Sequence, residues 1–79
     1  NKALLKIIGL KIRELRVVNN LTQEELAEKS GIETRQIGRI ERGEINSTIS
    51  TLYSISKAIN ISLPKLIDIN YDEIKLNKK

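Results

Sequence analysis

Apolar side chains recur every three or four residues along most of this 79-residue chain, which is the spacing of one face of an α-helix. The first such stretch has apolar residues on one face and basic residues on another, so it predicts an amphipathic helix. Asn19 and Asn20 fit the end of this helix, because asparagine tolerates a left-handed backbone better than most non-glycine residues. The apolar face contains Leu4, Leu5, Ile8, Ile12 and Leu15, and the basic face contains Lys2, Lys6 and Arg13.

Residues 21–43 contain two short helical patterns that are separated by a tight turn at Gly31. Thr22 is placed to cap the first helix, and Glu25, three residues later, to complete a capping box. Gly43 follows the second pattern, where a left-handed residue commonly ends a helix. So short a connection makes the helices cross steeply and leaves the second one projecting, as in a helix-turn-helix that enters the major groove of DNA. The two predicted helices cover residues 23–30 and 34–42.

Two further helices are predicted after a polar loop. One covers residues 49–59, with Asn46 and Thr48 both available as its N-cap, and the other opens at Ser62 with Pro64 in its first turn. Helical periodicity then fails. The pattern therefore predicts an all-α domain of five helices over residues 1–68, followed by a tail over residues 69–79 that is either a dimerisation element or disordered.

The composition argues against several kinds of function. The chain has neither cysteine nor histidine, so it lacks a disulfide framework, the thiolate and imidazole metal ligands and the usual general base. The remaining carboxylates are scattered, and we expect neither an enzyme nor a bound cofactor or metal. Lys6 and Lys11 interrupt the apolar stretch at residues 3–12, which predicts a soluble, cytoplasmic protein that binds no membrane.

The net charge of +4 is unevenly distributed. Residues 1–21 carry five basic side chains against one acid, whereas residues 22–43 carry five acids against four basic side chains. A polyanion would therefore meet selected basic residues and not a uniformly basic face. Because a surplus of four charges is ordinary for solubility, the expectation of nucleic-acid binding rests on the motif and not on the charge.

The helix-turn-helix segment resembles the phage repressor and Cro-like (XRE) family of bacterial regulators. The resemblance is carried by LTQEELA at residues 21–27, Gly31-Ile32 in the turn and IERG at residues 40–43, and it extends over about residues 8–67. Ser47 stands where the family often has proline. The resemblance implies a lambda-repressor-like domain that binds double-stranded DNA, with the motif in its second and third helices.

Candidate base contacts follow from the position of the third helix. The first turn of a recognition helix lies deepest in the groove, so its exposed residues, and one residue a turn later, are placed to reach base edges. An arginine can donate two hydrogen bonds to guanine O6 and N7, and a glutamine can pair similarly with adenine. Glu33 is expected only to cap the helix. The predicted base contacts are Thr34, Arg35, Gln36 and Arg39.

Other residues are assigned to the DNA backbone or to the scaffold. The resemblance implies that Gln23, at the start of the second helix, binds a phosphate, where free N–H groups and the helix dipole favour an anion. Arg13 and Arg42 are further candidates because both can flank the groove. The resemblance also implies a largely buried ion pair between Arg16 and Glu41, which would join the first helix to the third.

We expect a homodimer that regulates transcription from a palindromic operator. Leu10 and Val17 lie off the core face of the first helix and form one candidate interface. The other candidate, which we favour, is C-terminal and contains Leu63, Tyr71, Ile74 and Leu76. The alternatives are the antitoxin of a toxin–antitoxin pair, which would also bind its toxin, a restriction–modification controller and, less favoured, a protein-interaction adaptor.

Overall fold

A computed structural model describes residues 1–69 and contains five α-helices and no strand in this range. The prediction of an all-α, five-helix fold is therefore confirmed. The third and fourth helices end one residue before the predicted ends, and Ile69 is the only residue of the predicted tail that is described. The helices are α1 (Lys2–Val18), α2 (Gln23–Ser30), α3 (Thr34–Glu41), α4 (Ile49–Ala58) and α5 (Leu63–Leu66).

Four of the five helices begin with a side chain that accepts hydrogen bonds from the first turn. The predicted capping box opens α2: Glu25 N donates to Thr22 Oγ1 over 3.0 Å, and Thr22 N donates to Glu25 Oε1 over 2.8 Å. Of the two candidates for α4, Thr48 is the cap. Glu33 occupies the N-cap position of α3, but its side chain makes no capping hydrogen bond, so the expected cap is present only in position. Each side-chain cap contributes about 1 kcal/mol to helix stability. The other two caps are Asn1 and Ser62.

A left-handed residue follows each of helices α1 to α4 within two residues of its end. After each of these residues, the next backbone N–H donates to a carbonyl five positions earlier, as Glu44 N does to Arg39 O over 2.9 Å. Glycine or asparagine is needed at such positions because other side chains are strained there. The four residues and their φ angles are Asn20 (58°), Gly31 (75°), Gly43 (71°) and Asn60 (61°).

The core draws on all five helices, and α3 packs between α1 and α2. Leu10 and Val17 are exposed, as expected for residues off the core face of α1. Leu63, in contrast, is half-buried and packs against the core, so it is only in part a residue left over once the core is assigned. The fully or nearly buried apolar residues are Ile12, Leu26, Ala27, Ile37, Ile40, Leu52, Ile55, Ile59 and Leu66.

Gly9 allows α1 to lie directly on the backbone of α3. A Cβ atom at this position would collide with the carbonyl oxygen of Ile40 and would lie 2.6 Å from that of Glu41. Both obstacles are backbone atoms, which cannot turn aside as the end of a side chain can. The close contact of the two helices therefore depends on glycine, and it sets the distance of α3 from the body of the domain.

Lys11 joins α1 to the end of α5. Its Nζ donates to the carbonyl oxygens of Lys65 over 2.5 Å and of Asp68 over 2.6 Å. A cation is favourable at a helix C-terminus, where carbonyl groups lack partners within the helix. One of the basic residues of the N-terminal third thus has a structural partner within the domain.

Candidate nucleic-acid interface

Helix α3 has a buried face and a face that is open to solvent. Ile37 and Ile40 anchor the buried face in the core, whereas Arg35 and Arg39 are exposed on the other. Thr34 and Gln36 are half-buried. The structure brings three of the four predicted base contacts together, because one shallow depression is lined by Glu33, Arg35, Gln36, Arg39 and Ile45.

The buried side of α3 is held by an ion pair with α1. Arg16 Nε donates to Glu41 Oε2 over 2.6 Å and Nη2 donates to Glu41 Oε1 over 3.0 Å, in bidentate geometry. The side chains are 11% and 2% exposed. Arg16 Nη1 also donates to Leu21 O over 2.8 Å, so the same guanidinium reaches the segment that leads into α2. The hydrogen bonds to Glu41 raise the pKa of Arg16.

Gln23, the predicted phosphate contact, belongs to this network. Its Nε2 donates to Glu41 Oε1 over 3.1 Å, so Glu41 receives hydrogen bonds from both α1 and α2. Because a glutamine amide has two N–H donors, the bond to Glu41 leaves one for a further acceptor. Gln23 also packs over Gly38, where an added Cβ would lie 3.6 Å from its Oε1. The tighter contact at Gly38 is with Arg42, whose Nη1 would lie 3.0 Å from the same Cβ, whereas 3.6 Å is an ordinary van der Waals distance.

A second, exposed ion-pair cluster lies at the end of α3. Arg42 Nε donates to Glu44 Oε2 over 2.7 Å and Nη2 donates to Oε1 over 3.4 Å, while Arg39 Nε lies 3.8 Å from Glu44 Oε1. The Arg42 and Glu44 side chains are 58% and 46% exposed. The hydrogen bond from Arg42 lowers the pKa of Glu44, and the same bond raises the pKa of Arg42. A predicted base contact and a predicted phosphate contact therefore share one acidic neighbour.

Arg13 is exposed elsewhere on the domain. It lines a separate shallow depression on α1 with Glu14, Val17 and Val18. The structure thus places this predicted phosphate contact apart from the depression on α3. Within residues 1–69, no three metal-binding side chains are grouped, and no helix has the length and apolar character needed to cross a membrane.

Comparisons with known proteins agree with this geometry. A helix-turn-helix (HTH_3) family model matches residues 12–66. The chain belongs to this family. Control protein C.SmaI of Serratia marcescens is 48% identical over 62 residues, which cover 78% of this chain and 74% of that protein. The crystal structure of the restriction–modification controller protein C.AhdI from Aeromonas hydrophila has a TM-score of 0.75 and 35% identity, covering 80% of this chain and 94% of that one.

A phage protein is also similar. The immunity repressor of Bacillus phage phi105 is 32% identical over 60 residues, which cover 76% of this chain and 42% of the repressor. The resemblance to repressor and Cro-like regulators is therefore confirmed. This helix-turn-helix protein is a DNA-binding transcriptional regulator.

Two residues of the helix-turn-helix site were missed by sequence reasoning. Glu44 looks like an ordinary loop acid in the sequence, yet the left-handed turn at Gly43 brings it back to the arginines of α3. Ile45 follows it and lines the α3 depression. Gly43 was the signal available in the sequence. A left-handed residue after a helix turns the chain so that the following residue, here Glu44, lies beside the last turn.

Proposed function

We propose that this regulator binds a palindromic operator as a homodimer, with one α3 helix in the major groove of each half-site. The supporting observation is the open face of α3, where Arg35, Gln36 and Arg39 line one depression while the opposite face is anchored in the core. In this proposal Arg35 and Arg39 donate to guanine, and Gln36 pairs with adenine. Thr34 contacts a base edge from the first turn of α3.

Phosphate contacts complete the proposed interface. Gln23 lies at the first position of α2, next to the free N–H groups of the helix start, and its second amide N–H is available to a phosphate oxygen. Arg42 follows α3 and is exposed, and Arg13 is exposed on α1. Such contacts hold the recognition helix in register without distinguishing sequences, since every nucleotide carries the same phosphate.

The dimer interface is proposed on the C-terminal side, with residues 1–68 as the DNA-binding domain and residues 69–79 as a dimerisation element. Leu63 is half-buried against the core, and the other predicted members lie outside the described residues. The interface is therefore proposed on exposed apolar side chains of α4 and of the segment after α5. These are Ile49 and Tyr53, one turn apart on α4, and Ile67 after α5. A two-fold interface must hold the two α3 helices about 34 Å apart, which is one turn of DNA.

Selection of binding sites from random duplex DNA, combined with sedimentation velocity, tests this proposal. We expect enrichment of a palindrome whose half-sites are one helical turn apart, and a dimer that sediments both free and on DNA. Affinity that ignores sequence, together with a monomer at high micromolar concentration, would contradict it. In that case a protein-interaction adaptor would become the better hypothesis.

A more specific role, control of restriction–modification genes in the cytoplasm, is favoured by the similarity to C.SmaI and C.AhdI. Its test is the location of the selected operator in the genome. A site upstream of an adjacent endonuclease or methyltransferase gene, with a promoter response to this protein, is the expected result. An operator beside a toxin gene, and a stable complex with that toxin, would instead support an antitoxin.

A further inference from the structure

We propose that Glu44 is a specificity-determining residue of the DNA interface. In the free protein its carboxylate accepts hydrogen bonds from Arg42 and lies 3.8 Å from Arg39 Nε, which favours base reading by Arg39 and opposes the use of either arginine as a general phosphate contact. This inference rests on the proposed roles of Arg39 and Arg42. It adds an acidic residue to an interface whose predicted contacts are all polar or basic.

The backbone fixes Glu44 in place beside α3. Gly43, with a φ of 71°, turns the chain so that Gly43 N donates to Ile40 O over 3.0 Å and Glu44 N donates to Arg39 O over 2.9 Å. Gly43 is itself wedged against α1, since a Cβ there would lie 2.8 Å from Lys6 Cα. Glu44 therefore keeps one position relative to the last turn of α3, and only its side chain is free to turn.

The contacts leave different parts of each guanidinium available. Arg39 presents its Nε toward Glu44, so its two terminal nitrogens remain for the O6 and N7 atoms of a guanine. Arg42 uses both Nε and Nη2 on Glu44, so only Nη1 and the second N–H of Nη2 remain for a phosphate. Reading a base through Arg39 is thus compatible with the contact to Glu44. A phosphate can take the paired Nε–Nη2 edge of Arg42 only in competition with Glu44, and elsewhere on Arg42 it lies close to a carboxylate that repels it.

The competition differs between specific and non-specific DNA. Non-specific binding depends on phosphate contacts. Its affinity therefore falls when an arginine is paired with a carboxylate and when that carboxylate faces the DNA backbone. Specific binding gains when the nearby carboxylate biases the orientation of Arg39, because less side-chain entropy is then lost on contact with a base. Specificity is the difference between the binding free energies for these two kinds of DNA. Glu44 increases that difference, because it weakens non-specific binding more than specific binding. Because the cluster is exposed, the exchange of partners is easy.

The test is Glu44→Gln, with Glu28→Gln as the control. Glu28 is an exposed acid on α2, so the two variants change the net charge equally. Binding is measured by fluorescence anisotropy on the selected operator and on a random duplex of the same length, at several salt concentrations. We expect Glu44→Gln to raise the affinity for random DNA by about fivefold to tenfold at 0.1 M salt, and to steepen its salt dependence by about one contact per protomer. Operator affinity should rise less or fall, whereas Glu28→Gln should leave the ratio of the two affinities unchanged.

Combined variants test whether Glu44 affects DNA binding through Arg39 and Arg42. In an Arg39→Ala, Arg42→Ala background, Glu44→Gln should raise random-DNA affinity by much less than it does in the parent, because only the repulsion between the carboxylate and the DNA is then removed. A full effect in that background, or equal ratios for the two single variants in the parent, would overturn the role of Glu44 while leaving the proposed function standing. A parent protein that prefers no selected site would overturn both.

Discussion

Two guanidinium–carboxylate pairs flank the recognition helix, and they differ mainly in their surroundings. Arg16 and Glu41 meet on the buried side of α3 in bidentate geometry, and Gln23 adds a third donor. Arg42 and Glu44 also make two hydrogen bonds, but in solvent at the end of the same helix. The paired chemical groups are the same, and burial is the main difference between the two pairs.

Burial makes the first pair a condition for folding and leaves the second exchangeable. A buried carboxylate that loses its partner has no water to replace it, so breaking the pair leaves an uncompensated charge. An exposed pair exchanges its contacts for water, salt ions or DNA phosphates at little net cost. We therefore assign the inner pair, Arg16 and Glu41, to the positioning of α3. The outer pair, Arg42 and Glu44, is assigned to the choice between DNA sequences.

The largest effect is expected at the inner pair. Glu41→Ala strands the Arg16 charge and removes the acceptor of Gln23, so it should lower the free energy of unfolding by about 3–5 kcal/mol. That is a large share of the about 5–15 kcal/mol that stabilises a typical small protein. Urea unfolding followed by circular dichroism measures the loss, and Glu28→Ala is the matched exposed control. A Glu41→Ala protein that unfolds like the parent but no longer binds DNA would show that Glu41 is a contact residue.

Local signals explain which parts of the fold could be predicted from sequence. The capping box at Thr22 and the left-handed glycines at 31 and 43 depend only on neighbours within a few residues, so the motif and its helix limits were predictable to within one residue. The exposed arginines of α3 followed from those limits. The inner ion pair, in contrast, was expected only from the family resemblance, because no local rule links positions 16 and 41.

Features that depend on contacts in space were missed. In the sequence Gly9 is only a residue that weakens a helix. Its role is to allow close contact with the backbone of α3, which is distant in sequence. Leu63 reads as a surplus apolar residue until the helices are packed around it. In the sequence Lys11 is only a charge that interrupts the apolar stretch of α1, although its partners are carbonyl oxygens at the end of α5. Each of these roles is set by a neighbour that the local pattern does not identify.

The next largest effects are expected at the open face of α3. Arg35→Ala or Arg39→Ala should weaken binding to the selected operator by about 1–3 kcal/mol and relax the preference at one base pair. Binding to random DNA should change less, because these residues discriminate only where they reach base edges. Competition titrations with single-base operator variants measure both quantities. Lys2→Ala removes an equal charge at the start of α1, and an equal loss of specificity there would contradict the assignment.

A smaller effect should separate Gln23 from Arg13. Alanine at either position should weaken binding to all sequences alike, since phosphates carry no sequence information. Only Arg13→Ala should also reduce the slope of log affinity against log salt, by about one contact, because glutamine carries no charge to replace a counterion. Affinity measured from low to moderate salt gives the slopes. Equal slopes for Arg13→Ala and the parent would remove Arg13 from the interface.

The smallest effect is expected for the stability of the domain when the outer pair is broken, and its origin is electrostatic. Arg42 lowers the pKa of Glu44, so this carboxylate favours the folded state above its ordinary pKa, and the contribution is lost as the pH falls through the lowered value. Because both side chains are exposed, Arg42→Ala should leave the urea midpoint at neutral pH close to that of the parent. The same substitution should raise the pKa of Glu44 toward the ordinary value of a glutamate, as followed by NMR titration of its side-chain carboxyl. High salt should produce a similar shift in the parent, since it screens exposed charges. A large drop in the urea midpoint for Arg42→Ala would show that the outer pair, like the inner one, is part of the scaffold.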